Sequence, residues 1–140
     1  MTLFWEPELQ IEEYFNALRE TIDESPIVQS ARVTYDKRST HIGFIRGVLY
    51  LLDGSCLHFR EFVNTETDID RYMYAYQYQR TDENFIFRYD NTDHHRSLNL
   101  PTHPHHKHNG LTGLIVASSG PTLAQVLAEI EDLLDLAQGN

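Results

Sequence analysis

Apolar positions along this chain change their period twice, from helical to alternating and back to helical. Across residues 8–24, Ile11, Phe15, Leu18 and Ile22 recur at intervals of four, three and four, with Glu12, Glu13, Arg19 and Glu20 between them. That spacing predicts one amphipathic helix. Ser25-Pro26 ends it, because proline lacks a backbone donor and keeps the residue before it out of the helical region. The period then shortens to two. Residues 27–35 predict a strand with Ala31, Val33 and Tyr35 on one face and Arg32 and Thr34 on the other. Strands at 41–52 and 55–63 follow, joined by Asp53-Gly54, a pair that tolerates the positive φ of a two-residue hairpin. That turn pairs Leu52 with Ser55, sets Val48 against Phe59 and sets Arg46 against Glu61 as an opposite-charge pair. It leaves Leu49, Leu51, Cys56, His58 and Arg60 on the other face.

Beyond a polar crossing at 64–71, tyrosine occupies 72, 74, 76 and 78, every second position of a strand at 72–80. A turn leads into a fifth strand at 85–90. Pairing Arg80 with Phe85 sets Tyr78 beside Phe87 and Tyr76 beside Tyr89, with Gln77 by Arg88 and Ala75 by Asp90 on the opposite face. The tyrosine row reads first as sheet packing, and a base-stacking or partner surface is its alternative. A short apolar segment at 111–116 is a candidate edge strand. Ser118-Ser119-Gly120-Pro121 then opens a last helix, with Ser119 or Gly120 as its cap and Leu123, Val126, Leu127, Ile130, Leu134 and Ala137 as its apolar stripe. The expected fold class is therefore α+β: an antiparallel sheet of about five strands, with an N-terminal and a C-terminal amphipathic helix packed against it. A chain of 140 residues fits a single domain, 1–140, with a core at about 8–137 and a histidine-rich loop at 91–110.

Charge narrows the functions open to such a domain. With 21 acidic and 11 basic residues the formal net charge is −10, which disfavours unaided binding to nucleic acid or anionic lipid. Most of the cations are arginines, however, and Arg46, Arg60, Arg88 and Arg96 lie in or just after the middle strands, whereas many carboxylates fall in the terminal helices and turns. A local basic site on an acidic protein is compatible with that distribution. Cys56 is the single cysteine, so neither an intrachain disulfide nor a thiolate metal cluster can form, and it reads as a small buried hydrophobe rather than a nucleophile. Residues 1–5 lack the basic flank and length of a signal peptide, and no long apolar segment follows. A reduced cytoplasmic setting is expected, with no membrane contact.

The chemistry concentrates in residues 85–108, FIFRYDNTDHHRSLNLPTHPHHKH, which hold six of the eight histidines beside Arg88, Asp90, Asp93 and Lys107. Past Asp90 the segment is too broken by polar intervals to predict a strand or helix. Imidazole titrates near neutral pH and serves as acid, base or metal ligand. In a metal-free scheme one histidine takes the proton of a ribose 2′-hydroxyl, a second protonates the 5′-oxygen leaving group, and arginine steadies the phosphorane. His94, His95, His105 and His106 are the catalytic candidates, with Arg60 and Arg88 on the phosphate. His103, His105, His106 and His108 are close enough in sequence for zinc, but their spacing matches no strong zinc motif. No cofactor is therefore expected, with zinc or manganese as the alternative. A solvated or loop-ordering role for the histidines stands beside both.

Four blocks carry a resemblance: Gly-Phe-Ile-Arg-Gly at 43–47, Asp-Gly-Ser-Cys-Leu-His-Phe-Arg-Glu-Phe at 53–62, Phe-Arg-Tyr-Asp-Asn-x-x-His-His at 87–95 and Pro-His-His-Lys-His at 104–108. Together with the flanking helices they resemble the TumE-type family, the toxin component of bacterial toxin–antitoxin pairs. The resemblance implies a growth-inhibiting toxin of a type II pair, acting on RNA, with a DNA-binding antitoxin that neutralises it by direct contact. The alternative is a non-catalytic partner-binding protein or a metal-binding domain. Positions matching the blocks add His58 and Lys107 to Arg60 and Arg88 as substrate-binding candidates. They also give Glu61, Asp90, Asn91 and His108 as supporting residues.

Overall fold

The computed structural model describes residues 9–81 and 84–138, so the expectations for residues 1–7 and for the helix start at residue 8 lie outside the described residues. Helix α1 spans Ile11–Glu24 and buries Ile11, Tyr14, Phe15, Leu18 and Ile22. Ile11 N–H donates to the Thr40 carbonyl at 2.9 Å, which satisfies one of the open donors of the first turn. At the other end Ser25 is extended, as the following proline requires. Helix α2 spans Leu123–Gln138. Its cap is Thr122, not Ser119 or Gly120. Thr122 Oγ1 accepts from Gln125 N–H at 3.3 Å and Gln125 Oε1 accepts from Thr122 N–H at 2.9 Å, a reciprocal capping box.

Between the helices the described residues form one antiparallel meander of seven strands in sequential order: β1 (Val28–Lys37), β2 (Ile42–Leu51), β3 (Cys56–Asn64), β4 (Asp70–Gln79), β5 (Phe85–Asp90), β6 (His106–Asn109) and β7 (Ile115–Ala117). This corrects the expectation of about five strands and of an unstructured stretch at 91–110. Strand β6, His-Lys-His-Asn, pairs directly with β5. It alternates as a strand should, but between imidazole and lysine, so no apolar period betrays it.

The β2–β3 register also departs from expectation. Leu51 N–H donates to the Ser55 carbonyl at 2.9 Å, so the loop is three residues, 52–54, and Gly54 takes φ +89° in the glycine position of a bulged hairpin. The pairing moves by one residue: Arg46 faces Arg60, Val48 faces His58 and Leu49 faces Leu57. A shift of one changes which groups meet across the strands. The expected Arg46–Glu61 pair does not form, and His58 and Arg60 lie on the face opposite Leu49 and Leu51. The β4–β5 pairs Tyr78–Phe87, Tyr76–Tyr89, Gln77–Arg88 and Ala75–Asp90 form as expected.

Both helices pack on one face of the sheet, against Ile45, Leu49, Leu57, Phe59, Val63, Tyr76, Tyr78 and Phe87. Tyr74, Tyr76 and Tyr78 are buried there, so three rungs of the tyrosine row are packing. A bulge between Phe62 and Val63 of β3 and their β4 partners lifts Tyr72 out of that row, and its ring stacks on Phe62 instead. Glu61 belongs to the helix side as well. It is 1% exposed and accepts hydrogen bonds from the Tyr14 and Tyr76 hydroxyls. Burial, then the Glu61 carboxylate, pushes both phenols upward. Arg71 extends this network, donating to Tyr76 Oη at 3.0 Å and to the Pro121 and Gly120 carbonyls at 2.8 and 2.7 Å. The segment before α2 is thereby fixed to β4.

Candidate functional site

Among the described residues neither helix covers the second face of the sheet, and the strand register determines what stands on it. One row across the strands reads Arg32, Val48, His58, Gln77, Arg88, His108. The next row on that face reads Thr34, Arg46, Arg60, Ala75, Asp90, His106. Strands alternate side chains with period two, so residues far apart in sequence become neighbours wherever consecutive hairpins keep register. Arg32, Arg46, Arg60, Arg88 and His58 line a shallow cleft of about 530 Å³ on this face. Cys56 is half-buried here rather than in the core, its Sγ 3.5 Å from His58 Nε2.

At the β5–β6 end of the cleft the cations meet a carboxylate and three imidazoles. Asp90 is 2% exposed. Its Oδ1 accepts from the Thr92 N–H and hydroxyl, both at 3.0 Å, a local turn that bends the chain out of β5. Its Oδ2 accepts from Arg88 Nε at 2.8 Å, while Arg88 also donates to Gln77 Oε1 at 3.1 Å. Burial alone would push the Asp90 carboxyl up, but Arg88, Thr92 and His106 outweigh it and hold the group below the usual carboxylate range. His106 is 1% exposed. Its Nδ1 lies 2.8 Å from the Pro104 carbonyl, which can only accept, so Nδ1 carries a hydrogen. Its Nε2 then faces Asp90 Oδ1 at 2.9 Å and His108 Nε2 at 3.1 Å. A hydrogen among these atoms satisfies them. Without one, lone pairs would face one another.

His95 closes the group. A 3₁₀ turn at Arg96–Leu98, ended by Asn99 at φ +53°, returns the chain toward β6. The His95 ring lies 4.9 Å from that of His106 and 5.2 Å from that of His108. His108 stays half-buried beside the cleft. Burial first, then His106, His95 and Arg88, lower its pKa against the pull of Asp90, which favours the neutral imidazole. Ring nitrogens of His95, His106 and His108 all lie within 4.8 Å of one another, so these three could hold a metal ion.

The structure thus brings together His95, His106, His108, Arg88 and Asp90, with His58 and Arg60 further along the same face. Asn91 sits at the edge, its Oδ1 accepting from Tyr74 N–H at 3.0 Å and tying the end of β5 to the bulged part of β4. The other candidates lie elsewhere. His94 is exposed on the loop. His105 points to the helix side, where its Nδ1 lies 2.7 Å from the Tyr74 hydroxyl, and burial, then Arg71 and His106, lower its pKa. Lys107 also lies on the helix side, 2.9 Å from Glu129 and over the rings of Phe87 and Tyr89. Arg32, Arg46 and Gln77 line the cleft although sequence reasoning did not place them in the site. For Arg32 and Arg46 the signal was the β1–β2–β3 register, which the hairpin length decides, and for Gln77 it was the expected pairing with Arg88.

A cationic groove that ends in clustered imidazoles gives the blocks named above a common location. The family model described as Toxin TumE matches residues 18–134, a span from within α1 to within α2. The chain belongs to the TumE toxin family. No curated protein and no solved structure matches it. TumE membership implies a partner antitoxin. No helix among the described residues is long and apolar enough to cross a membrane. The TumE blocks at 53–62, 87–95 and 104–108 supply His58 and Arg60, then Arg88, Asp90 and His95, then His106 and His108. Such a surface has the groups that a nuclease needs.

Proposed function

We propose that this toxin cleaves RNA without a metal ion, by transfer of the strand to its own 2′-hydroxyl. What carries the reading is the convergence of Arg88, Asp90, His95, His106 and His108 at the end of an arginine-lined sheet face. His108, held toward its neutral form, takes the proton of the 2′-hydroxyl. The freed oxygen attacks phosphorus, the bond to the 5′-oxygen breaks, and His95 returns a proton to that leaving group. The products end in a 2′,3′-cyclic phosphate and a 5′-hydroxyl. Arg88 and Arg60 balance the charge that builds on the phosphorane. His106 is too buried to touch substrate, so it and Asp90 are positioning residues that orient His108. The −10 charge of the chain is answered locally by the four arginines of the cleft. It suits an antitoxin, DNA-binding in this reading, that meets the acidic surface with basic segments.

Purified protein should cleave single-stranded RNA in EDTA and leave cyclic phosphate ends. His95→Ala and His108→Ala should each lower kcat by about 10²- to 10⁴-fold, the contribution of a positioned proton-transfer group. Full activity in a folded double variant would overturn the assignment. A second reading rests on the three mutually close imidazoles, a set that binds zinc while leaving a fourth position for water. Activity lost in EDTA and restored by zinc would favour it. Neither cleavage nor metal binding would leave the cluster as a partner-binding or loop-ordering group.

A further inference from the structure

Beside the arginine rows, the same open face carries an aromatic surface that the proposed chemistry does not use. The row next to Arg46 and Arg60 reads Asp36, Phe44, Phe62, Met73. The Phe44 and Phe62 rings lie edge to face with centroids 6.3 Å apart, and Tyr72 stacks on Phe62 at 5.8 Å. Tyr72 is 53% exposed, and its hydroxyl accepts from Asn64 Nδ2 at 2.7 Å, which holds the ring in place. Single exposed aromatics are ordinary. Here the exposed Tyr72 touches the half-buried Phe62, which touches the half-buried Phe44, two positions along the strands from two arginines and so roughly 7 Å from them, and packing against the helices, which lie on the other side of the sheet, does not explain the group.

We infer that this face binds single-stranded RNA, with a base stacked on Tyr72, which Phe62 and Phe44 back, and the backbone phosphates on Arg46 and Arg60, feeding the strand toward His95 and His108. The inference rests on the RNA reading of the site and adds the groups that hold the bases and the path of the strand. Charge complementarity selects a polyanion for the arginine rows. The aromatic row selects one whose bases are free to stack, because in a duplex they are already stacked on one another and turned inward. A strand lying across β3 toward β5 meets the aromatic and arginine rows before it reaches the imidazoles.

The test uses the His95→Ala/His108→Ala protein, which does not cleave under the reading above, and a fluorescein-labelled ten-nucleotide RNA, single-stranded or annealed to its complement. Single strands should bind at least about tenfold more tightly than the duplex. Tyr72→Ala should weaken single-strand binding by roughly 5- to 150-fold, the range measured for one stacked base, and Tyr72→Phe should restore it. Arg46→Gln and Arg60→Gln should each reduce the slope of log K against log salt by about 0.7. Equal affinity for duplex, or an unchanged affinity in Tyr72→Ala with an unchanged melting midpoint, overturns the inference. Wild-type protein that binds single strands through Tyr72 yet leaves them intact upholds the platform and overturns the cleavage reading. Cleavage whose KM ignores Tyr72→Ala does the reverse.

Discussion

Replacing Asp90 by Asn tests the link between burial and chemistry most directly, because the change preserves size and removes only charge and one acceptor. In the folded protein one carboxylate oxygen accepts twice from Thr92 and faces His106 at 2.9 Å, while the other accepts from Arg88 Nε at 2.8 Å. An amide has one oxygen to offer. If it stays with Thr92, the amide nitrogen meets the Arg88 donor head on. If it turns to Arg88, the Thr92 N–H and hydroxyl lose their acceptor. A hydrogen bond to a charged group is worth about 1.5–3 kcal/mol. Arg88 retains partial access to water, so its share sits at the low end of that range, and the weakened His106 contact adds a similar amount. The expected loss is about 2–4 kcal/mol. Urea unfolding at neutral pH should show it as a midpoint lower by about 1–2 M, given slopes of about 1–3 kcal/mol/M. RNA cleavage, assayed well below that midpoint, should fall further than the folded fraction does. A carboxylate that holds a catalytic imidazole in one tautomer is worth up to about 10⁴-fold. A midpoint unchanged from wild type, together with unchanged kcat, would refute both the buried network and its positioning role.

Two further predictions concern the opposite face of the sheet. Glu61→Ala removes the acceptor of two buried phenols and should destabilise the protein by about 2–6 kcal/mol in chemical denaturation, at about 1–3 kcal/mol for each unsatisfied hydroxyl. Adding Tyr14→Phe to that variant should recover part of the loss, since the second change deletes one of the orphaned donors. Gly43→Ala would place a methyl 2.6 Å from both Ile11 Cγ1 and Phe15 Cζ, forcing α1 off β2, and should lower stability by about 1–3 kcal/mol in the same measurement.

Both helices and the first five strands were legible because their apolar residues keep a strict period: Ile11, Phe15, Leu18 and Ile22 all reach the core. The capping box at Thr122 and Gln125 was present in the sequence, hidden behind the more familiar Ser-Gly-Pro signal beside it. The site was legible in kind but not in composition. Arg88, Asp90, His95 and His106 stood out as types. Adjacent imidazoles such as His105 and His106 could be told apart only by knowing that β6 begins at His106 and turns that ring to the open face, while His105 just before it turns to the helix side. Strand β6 carries no apolar alternation, so nothing local disclosed it. Likewise the meeting of Arg46 with Arg60 depends on whether the Gly54 turn contains two residues or three, a choice that backbone hydrogen bonding settles and composition does not.

The sequential strand order has a consequence for the protein while it is being made. Every strand pairs with its neighbours in sequence, so the sheet grows by successive hairpins and needs no segment from far downstream to close any pair. The chain leaves the ribosome from its N-terminus. Strands β1 to β3, which carry Arg32, Arg46 and Arg60, emerge well before His95, His106 and His108. A nascent toxin therefore presents these arginines before the imidazole cluster has emerged. An antitoxin that recognised the early hairpins could already be seated when the last part of the site arrives.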